Sequence, residues 1–303
     1  MAGLLTPARC DRSPDSRESV SFGVLGPLRV TVDSRTLDIP MRMQQILAVL
    51  LCHRDQPMGT ARIADQIWGE NPPKSAAKSV HVAIHHLRRA LSHSDRIVST
   101  ATGYMVVVRP GELDADRFEC LVERGMRAEE ADRAAASLAE AAALWRGPAL
   151  AGLESLPSLS AEAMRLEELR LAAIESRIDA DLALARHAGL VAELKALVRR
   201  HPLRERLWGQ LMIALYRSGR PAESLNAFTE ARRVMLHELG MEPGAQLARL
   251  ETAILARDPG LDVRPAVRSG RGPAGELKVR RLAPTAGRRS HRLTGRSDRG
   301  RPA

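Results

Sequence analysis

Residues 75–91, SAAKSVHVAIHHLRRAL, followed after the five-residue break SHSDR (92–96) by IVSTATGYMVV (97–107), decide the fold. Val80, Ile84, Leu87 and Leu91 recur at spacings of four, three and four, which stacks them on one side of a helix over Ser75–Leu91. Lys78, Ser79, His85, His86, Arg88 and Arg89 fall away from that apolar seam, and no carboxylate occurs between Ser75 and Leu91. A helix whose exposed side carries only hydrogen-bond donors and cations suits a polyanion. The hairpin that follows supplies a second contact arm. The reading is DNA.

On the N-terminal side, Phe22, Val24 and Leu25 and then Leu28, Val30 and Val32 alternate around Gly26-Pro27, the pattern of a β-hairpin or small sheet. Leu37–Ile39 reads as a third short strand. Met41–Cys52 is helical by its Ile46, Leu47, Leu50 and Leu51 face. Thr60 is placed as the N-cap of a second helix running through Trp68, with Ile63, Ile67 and Trp68 facing inward. Gly69 ends that helix, and Asn71-Pro72-Pro73 imposes an extended turn before the third. Strands follow at Ile97–Ser99 and Tyr104–Val108. A small sheet, three helices and a hairpin, in that order, make an α+β winged helix-turn-helix over residues 20–110. Residues 1–19 are polar and unpatterned and read as a disordered extension.

From Asp114 the texture changes to Ala, Leu, Glu and Arg without strand signals. Helical periodicity runs roughly over 115–134, 134–146, 160–187, 190–200, 204–218, 221–239 and 244–256. Two segments echo each other, LALARHAGLVAEL and IALYRSGRPAESL, with Gly189 and Gly219 read as the equivalent helix-closing positions. Their separation of 30 is a loose match to a tetratricopeptide-like helix-hairpin repeat of period 34. Residues 111–260 are therefore assigned to an all-α, tetratricopeptide-like domain. Here Trp145, Leu166, Leu169, Trp208, Leu211, Leu215 and Tyr216 are core by spacing, and Arg204, Glu205, Arg217 and Arg220 form ion pairs or face a partner. Residues 261–303 lose periodicity and read as a basic disordered tail.

Charge follows the same divisions. The 303-residue chain carries a formal +10. Residues 20–110 hold 11 basic and 6 acidic side chains, 111–260 hold 20 and 24, and 261–303 hold 12 and 3. A basic first domain with an acidic second domain points to one nucleic-acid surface and one protein-facing surface. The cysteines, Cys10, Cys52 and Cys120, contain no C-x-x-C pair, which excludes a short-spaced zinc site. His81 and His85 are an i, i+4 pair, but no third ligand is near in sequence and position 82 is not Glu. No G-x-S-x-G, H-E-x-x-H or dinucleotide glycine loop occurs. The expectation is a protein without cofactor, metal or catalytic activity. No apolar run has signal-peptide or transmembrane length, so a cytoplasmic location without a membrane partner is expected.

A resemblance now becomes specific. FGVLGPLRV (22–30), IWGENPPKSA (67–76), HHLRRAL (85–91), TGY (102–104), LDADRFE (113–119), LWRGPAL (144–150), HPLRERLWGQLMIALYRSGRPAESL (201–225) and LGMEPGAQL (239–247) occur in collinear order. Together they resemble the Streptomyces antibiotic regulatory proteins (SARPs), in which an OmpR-type winged helix precedes a bacterial transcriptional activation domain. The resemblance implies a sequence-specific transcriptional activator of a secondary-metabolite gene cluster. It implies binding to direct repeats in double-stranded promoter DNA as a homodimer, recruitment of RNA polymerase holoenzyme, and association with the nucleoid. No Walker-type G-x-x-x-x-G-K-[ST] is present, which fits a small member of the group.

The resemblance also distributes roles. His85 and His86 fall where OmpR-type recognition helices meet major-groove base edges, against the plain reading of solvated surface histidines. Arg88, Arg89, Lys78 and Ser79 are placed at phosphates, unless one of the arginines, Arg89 being the one weighed, covers the domain's own core with its stem. Lys74, Val82, Thr100 and Thr102 complete the set assigned to DNA, and Tyr104 reads as core. Two departures stand out: Thr100 lies near the position where such wings commonly carry Arg, and Gln44 where the first helix often does. Two other functions remain open, a helical-repeat scaffold with a vestigial winged helix and a ligand-gated regulator.

Overall fold

The computed structural model describes residues 19–91 and 95–262. The extension before Ser19, with Cys10, and the basic tail beyond Asp262 lie outside the described residues. Strands β1 (Val20–Gly23), β2 (Arg29–Val32) and β3 (Arg35–Thr36) form an antiparallel sheet in that order, with Val20 opposite Val32 and Phe22 opposite Val30. The third strand comes earlier than Leu37–Ile39. Asp33 and Ser34 both adopt positive φ (46° and 65°), so the chain reverses within two residues and pairs at once.

Helix α1 (Met41–Cys52) buries every residue from Ile46 to Leu51, so it is the central strut of the first domain rather than a surface helix. Helix α2 (Thr60–Trp68) turns Ile63, Ala64 and Ile67 inward. Thr60 is its first helical residue, not its cap. Gly59 holds the cap position without a side-chain bond, and the Thr60 hydroxyl faces His81 instead. Helix α3 (Ala76–Ala90) buries Ala76, Val80, Ala83, Ile84 and Leu87, the seam expected from spacing plus two small residues. Strands β4 (Ile97–Thr100) and β5 (Gly103–Val106) form the wing, with Thr100 opposite Gly103 across the turn Ala101-Thr102.

Seven helices follow: α4 (Asp114–Arg127), α5 (Ala131–Ala143), α6 (Pro157–Ala183), α7 (His187–Arg200), α8 (Glu205–Arg217), α9 (Pro221–Leu239) and α10 (Ala245–Leu255). The fold is thus a winged helix followed by an all-α domain. The repeat is better than its sequence shows. Ala185 (φ 60°) and Gly219 (φ 73°) are the positive-φ residues that close α6 and α8, and they lie 34 residues apart, as do the starts of α7 and α9. The two turns use matching bonds: Arg186 N–H donates to Asp181 O at 2.9 Å and Arg220 N–H to Leu215 O at 3.0 Å. The alignment on Gly189 is therefore corrected, since Gly189 lies inside the first turn of α7. The tetratricopeptide period holds. Among the described residues, no helix is long and apolar enough to cross a membrane.

The apolar core does not divide where the sequence texture does. One continuous cluster joins β1, β2, α1, α2, α3 and the wing to Leu113, Phe118, Leu121, Leu138, Leu153, Leu159 and Leu166 of the helical region. A second cluster begins at Leu171, midway along α6, and runs through α7–α10. Polar contacts sew the first cluster together. Phe22 N–H donates to Glu112 O (2.7 Å), Arg146 N–H to Leu25 O (2.8 Å) and Leu150 N–H to Val24 O (2.9 Å). Arg96, only 2% exposed, makes a two-pronged pair with Glu112 at 2.7 Å on each prong. Arg54 at the end of α1 pairs with Asp116 on α4, yet burial holds the Asp116 carboxyl above its ordinary range despite that guanidinium.

Candidate nucleic-acid interface

With its seam buried, α3 leaves one face uncovered. Lys78, Val82, His85, His86 and Arg89 are exposed, Ser79 is half-buried, and Lys74 is exposed in the turn just before the helix. From Lys78 to Arg89 this face runs about 16 Å along the axis, given ~1.5 Å per residue. It contains no acid from Ser75 to Leu91. Val82, 47% exposed in the middle of the face, supplies an apolar contact of the kind that suits a thymine methyl. The His85 and His86 rings meet edge to face at 5.7 Å and both stand in solvent. Their i, i+1 relation spreads them about 100° around the axis, so they reach outward on either side of Val82.

Arg88 behaves differently from its neighbour. Its Nε donates to Ile97 O at 2.7 Å and its Nη2 to Ser99 Oγ at 2.9 Å, both on β4, and its guanidinium lies 5.7 Å from the centroid of the Tyr104 ring. Arg89 points to solvent. Tyr104 is half-buried and packs against the core, as expected. Its backbone pairs with Met58 through bonds of 2.8 and 2.9 Å, which makes Met58 a one-residue third strand of the wing sheet. The pairing depends on Gly103. A Cβ there would lie 2.0 Å from Met58 O, and its φ of 149° is one that residues with side chains rarely adopt.

At the wing tip, Thr102 is exposed, whereas the Thr100 hydroxyl is used internally, donating to Gly103 O at 3.2 Å and accepting from Thr102 N–H at 3.4 Å. Gln44 is also committed, its Nε2 donating to Ile39 O at 2.7 Å. Sequence reasoning passed over Arg42. It is exposed at the start of α1, stacks over Trp68 at 4.8 Å, and lines a groove with Lys78, Ser79, Val82 and His86. The available signal was a cation in the first turn of a helix, where a basic residue opposes the dipole and so asks for another reason to be there.

Elsewhere the described residues offer little reactive chemistry. No group of three or more His, Cys, Asp or Glu among them could hold a metal ion. Burial pushes the Cys52 thiol up to about 12, with Glu162 adding to the effect, so the thiolate is suppressed.

A recognition helix with an acid-free face, braced by a β-wing and sharing its core with the first helices of the all-α region, defines a winged-helix transcriptional regulator with a fused helical domain. Two family models agree, "Transcriptional regulatory protein, C terminal" over residues 34–106 and "Bacterial transcriptional activator domain" over 113–255. The chain belongs to the SARP family of regulators. It is 38% identical over 257 residues to the regulatory protein DnrI of Streptomyces peucetius, covering 80% of this chain and 94% of that one. It is 39% identical over 248 residues to AfsR of Streptomyces coelicolor, covering 80% of this chain but only 25% of that longer protein. A solved structure of Mycobacterium tuberculosis EmbR, in complex with a low-affinity phosphopeptide, superposes with a TM-score of 0.75 at 29% identity, covering 80% of this chain and 66% of that one.

Proposed function

We propose that this protein is a pathway-specific activator that binds direct repeats in promoter DNA as a homodimer and recruits RNA polymerase holoenzyme to a secondary-metabolite gene cluster. The observation that carries this reading is the uncovered face of α3, where Lys78, Val82, His85, His86 and Arg89 stand together without a carboxylate. In this reading α3 enters the major groove. His85 and His86 donate to base edges, and Val82 contacts a thymine methyl. Lys74, Lys78, Ser79 and Arg89 hold phosphates, with Arg42 added from the groove beside them, and Thr102 brings the wing tip to the backbone, the Thr100 hydroxyl being committed within the wing. The protein works in the cytoplasm, on the nucleoid. The relatives support the regulatory role, since DnrI and RedD are Streptomyces regulators and the chain spans 94% and 73% of their lengths.

The test is a footprint of the full chain on genomic fragments carrying its own neighbouring promoters. Protection of two equally oriented repeats is expected, with affinity falling steeply as salt rises. Binding to every fragment alike, or to none at low salt, would defeat the reading.

A further inference from the structure

Helix α3 carries two exposed stripes, and only one of them is free. His81 and Arg88, seven residues and two turns apart, both reach the wing. The His81 ring meets the Tyr104 ring edge-on at 6.0 Å with an interplanar angle of 71°, and its Nε2 lies 3.4 Å from Thr60 Oγ1 at the start of α2. Arg88 spans both strands at one register level. Ser99 and Tyr104 lie directly opposite each other, and the guanidinium bonds the hydroxyl of the first while covering the ring of the second. Its Nε bond to Ile97 O fixes the base of the same strand at 2.7 Å. A planar guanidinium serves two acceptors and a ring face from one fixed geometry, whereas an ammonium on a flexible stem holds no such fixed arrangement.

We propose that Arg88 is a positioning residue rather than a phosphate ligand: it locks the wing to the recognition helix at a fixed angle, with His81 as the second strut. This rests on the DNA-binding reading of α3. In consequence the wing tip at Ala101-Thr102 is held ready beside the groove-facing stripe before DNA arrives. The ordering cost of the wing is met during folding, not at binding. It also accounts for a wing that works without an arginine at its tip, since a rigid arm loses little entropy on contact. Arg88 and Arg89, adjacent in sequence and alike in chemistry, thereby take different jobs, one inward and one outward.

The experiment compares Arg88→Ala, Arg88→Lys and Arg89→Ala in the full chain. Without DNA, hydrogen exchange of the wing amides at 97–106 should quicken at least tenfold in both Arg88 variants, while α1 and α8 amides stay as protected as before. On the fragment that the wild-type chain protects, Arg88→Ala should lose protection on the wing side only and keep the wild-type slope of log affinity against log salt. Arg89→Ala should flatten that slope by about 0.9. Unchanged wing exchange in Arg88→Ala would overturn the proposal. So would a slope flattened by about 0.9 in Arg88→Ala with wing-side protection retained. Failure of the wild-type chain to bind any fragment would sink the DNA reading while leaving the exchange result to decide the brace.

Discussion

Asp114 and Arg146 close a clamp over the loop that joins β1 to β2. The Asp114 carboxylate accepts from Val24 N–H at 2.7 Å and Leu25 N–H at 3.2 Å, and Arg146 donates to Asp114 Oδ2 at 3.1 Å and to Pro27 O at 3.0 Å. Gly23 leaves the space that Arg146 occupies, since a Cβ there would lie 2.4 Å from the guanidinium. The turn belongs to the winged helix and the clamp to the helical domain. Asp114→Ala strips the acceptor from two part-buried N–H groups, each left unpaired at about 1–3 kcal/mol. Urea unfolding of the full chain should show a loss of that order. A loss under about 0.5 kcal/mol would mean that water satisfies the turn and the clamp is incidental.

A cut at residue 110 follows the change in sequence texture but runs through the shared core. The fragment 20–110 would bare the face of α1 and β1 that packs on Leu113, Phe118, Leu159 and Leu166. It should be expressed as an aggregate or a partly folded species, with poor dispersion of its methyl resonances. By contrast, a fragment of residues 19–262 should unfold cooperatively. A well-dispersed spectrum from 20–110 alone would show that the interface is docked rather than structural.

Gly103→Ala should disable the wing without unfolding the protein. The added methyl meets Met58 O at 2.0 Å, backbone against backbone, so neither side can yield cheaply. A strain of about 1–3 kcal/mol falls on a two-stranded arm. Far-ultraviolet helicity should remain at the wild-type level and DNA affinity should fall at least tenfold. Wild-type affinity would show that the Met58 pairing is dispensable.

The first domain was legible because its signals are local. The seam Val80, Ile84 and Leu87, the turn at Gly26-Pro27 and the start of α1 at Met41 each follow from periodicity or punctuation within a few residues. The role of Arg88 was not legible, because Arg88 and Arg89 are identical in sequence terms and only the azimuth of α3 against the wing separates them. Arg42 was hidden for the same reason: its importance comes from a groove completed by a helix more than thirty residues away. The repeat misled through composition. Glycine is the expected residue at a positive φ, and the homologous position carries Ala185, so the glycine pattern points to Gly189 instead.

Glu175 provides a pH prediction. It is 5% exposed on α6, its Oε1 has no hydrogen-bond partner among the described residues, and Arg206 approaches its other oxygen only to 3.6 Å. Burial, partly offset by Arg206, holds its carboxyl above the ordinary range. A raised folded-state value means that its contribution to stability is fully present below the unfolded value and is lost as pH rises through the folded one. Glu175→Gln removes that loss and keeps the shape. Urea midpoints measured from mildly acidic to neutral pH should therefore decline less with rising pH in the variant than in the wild type. A variant that loses more stability at neutral than at acidic pH would show that the Arg206 pair outweighs burial.

His85 and His86, on the uncovered face of α3, decide whether this surface reads sequence. Both are exposed on a face whose other members contact phosphate or methyl groups in the proposed complex, so they carry most of the hydrogen-bonding discrimination available to the helix. Each imidazole presents one N–H to an acceptor such as guanine N7, and lacks the second prong of an arginine. Its discrimination should therefore lie near the lower end of the range of about 1–3 kcal/mol for a base contact. Selection of binding sites from a randomised library by His85→Ala and His86→Ala should relax one or two base positions per half-site, with each variant affecting different positions. Binding to unrelated DNA should stay within about twofold, because no phosphate contact is removed. Equal weakening on specific and unrelated DNA would assign both rings to the backbone, leaving Val82 and the shape of the duplex as the source of specificity.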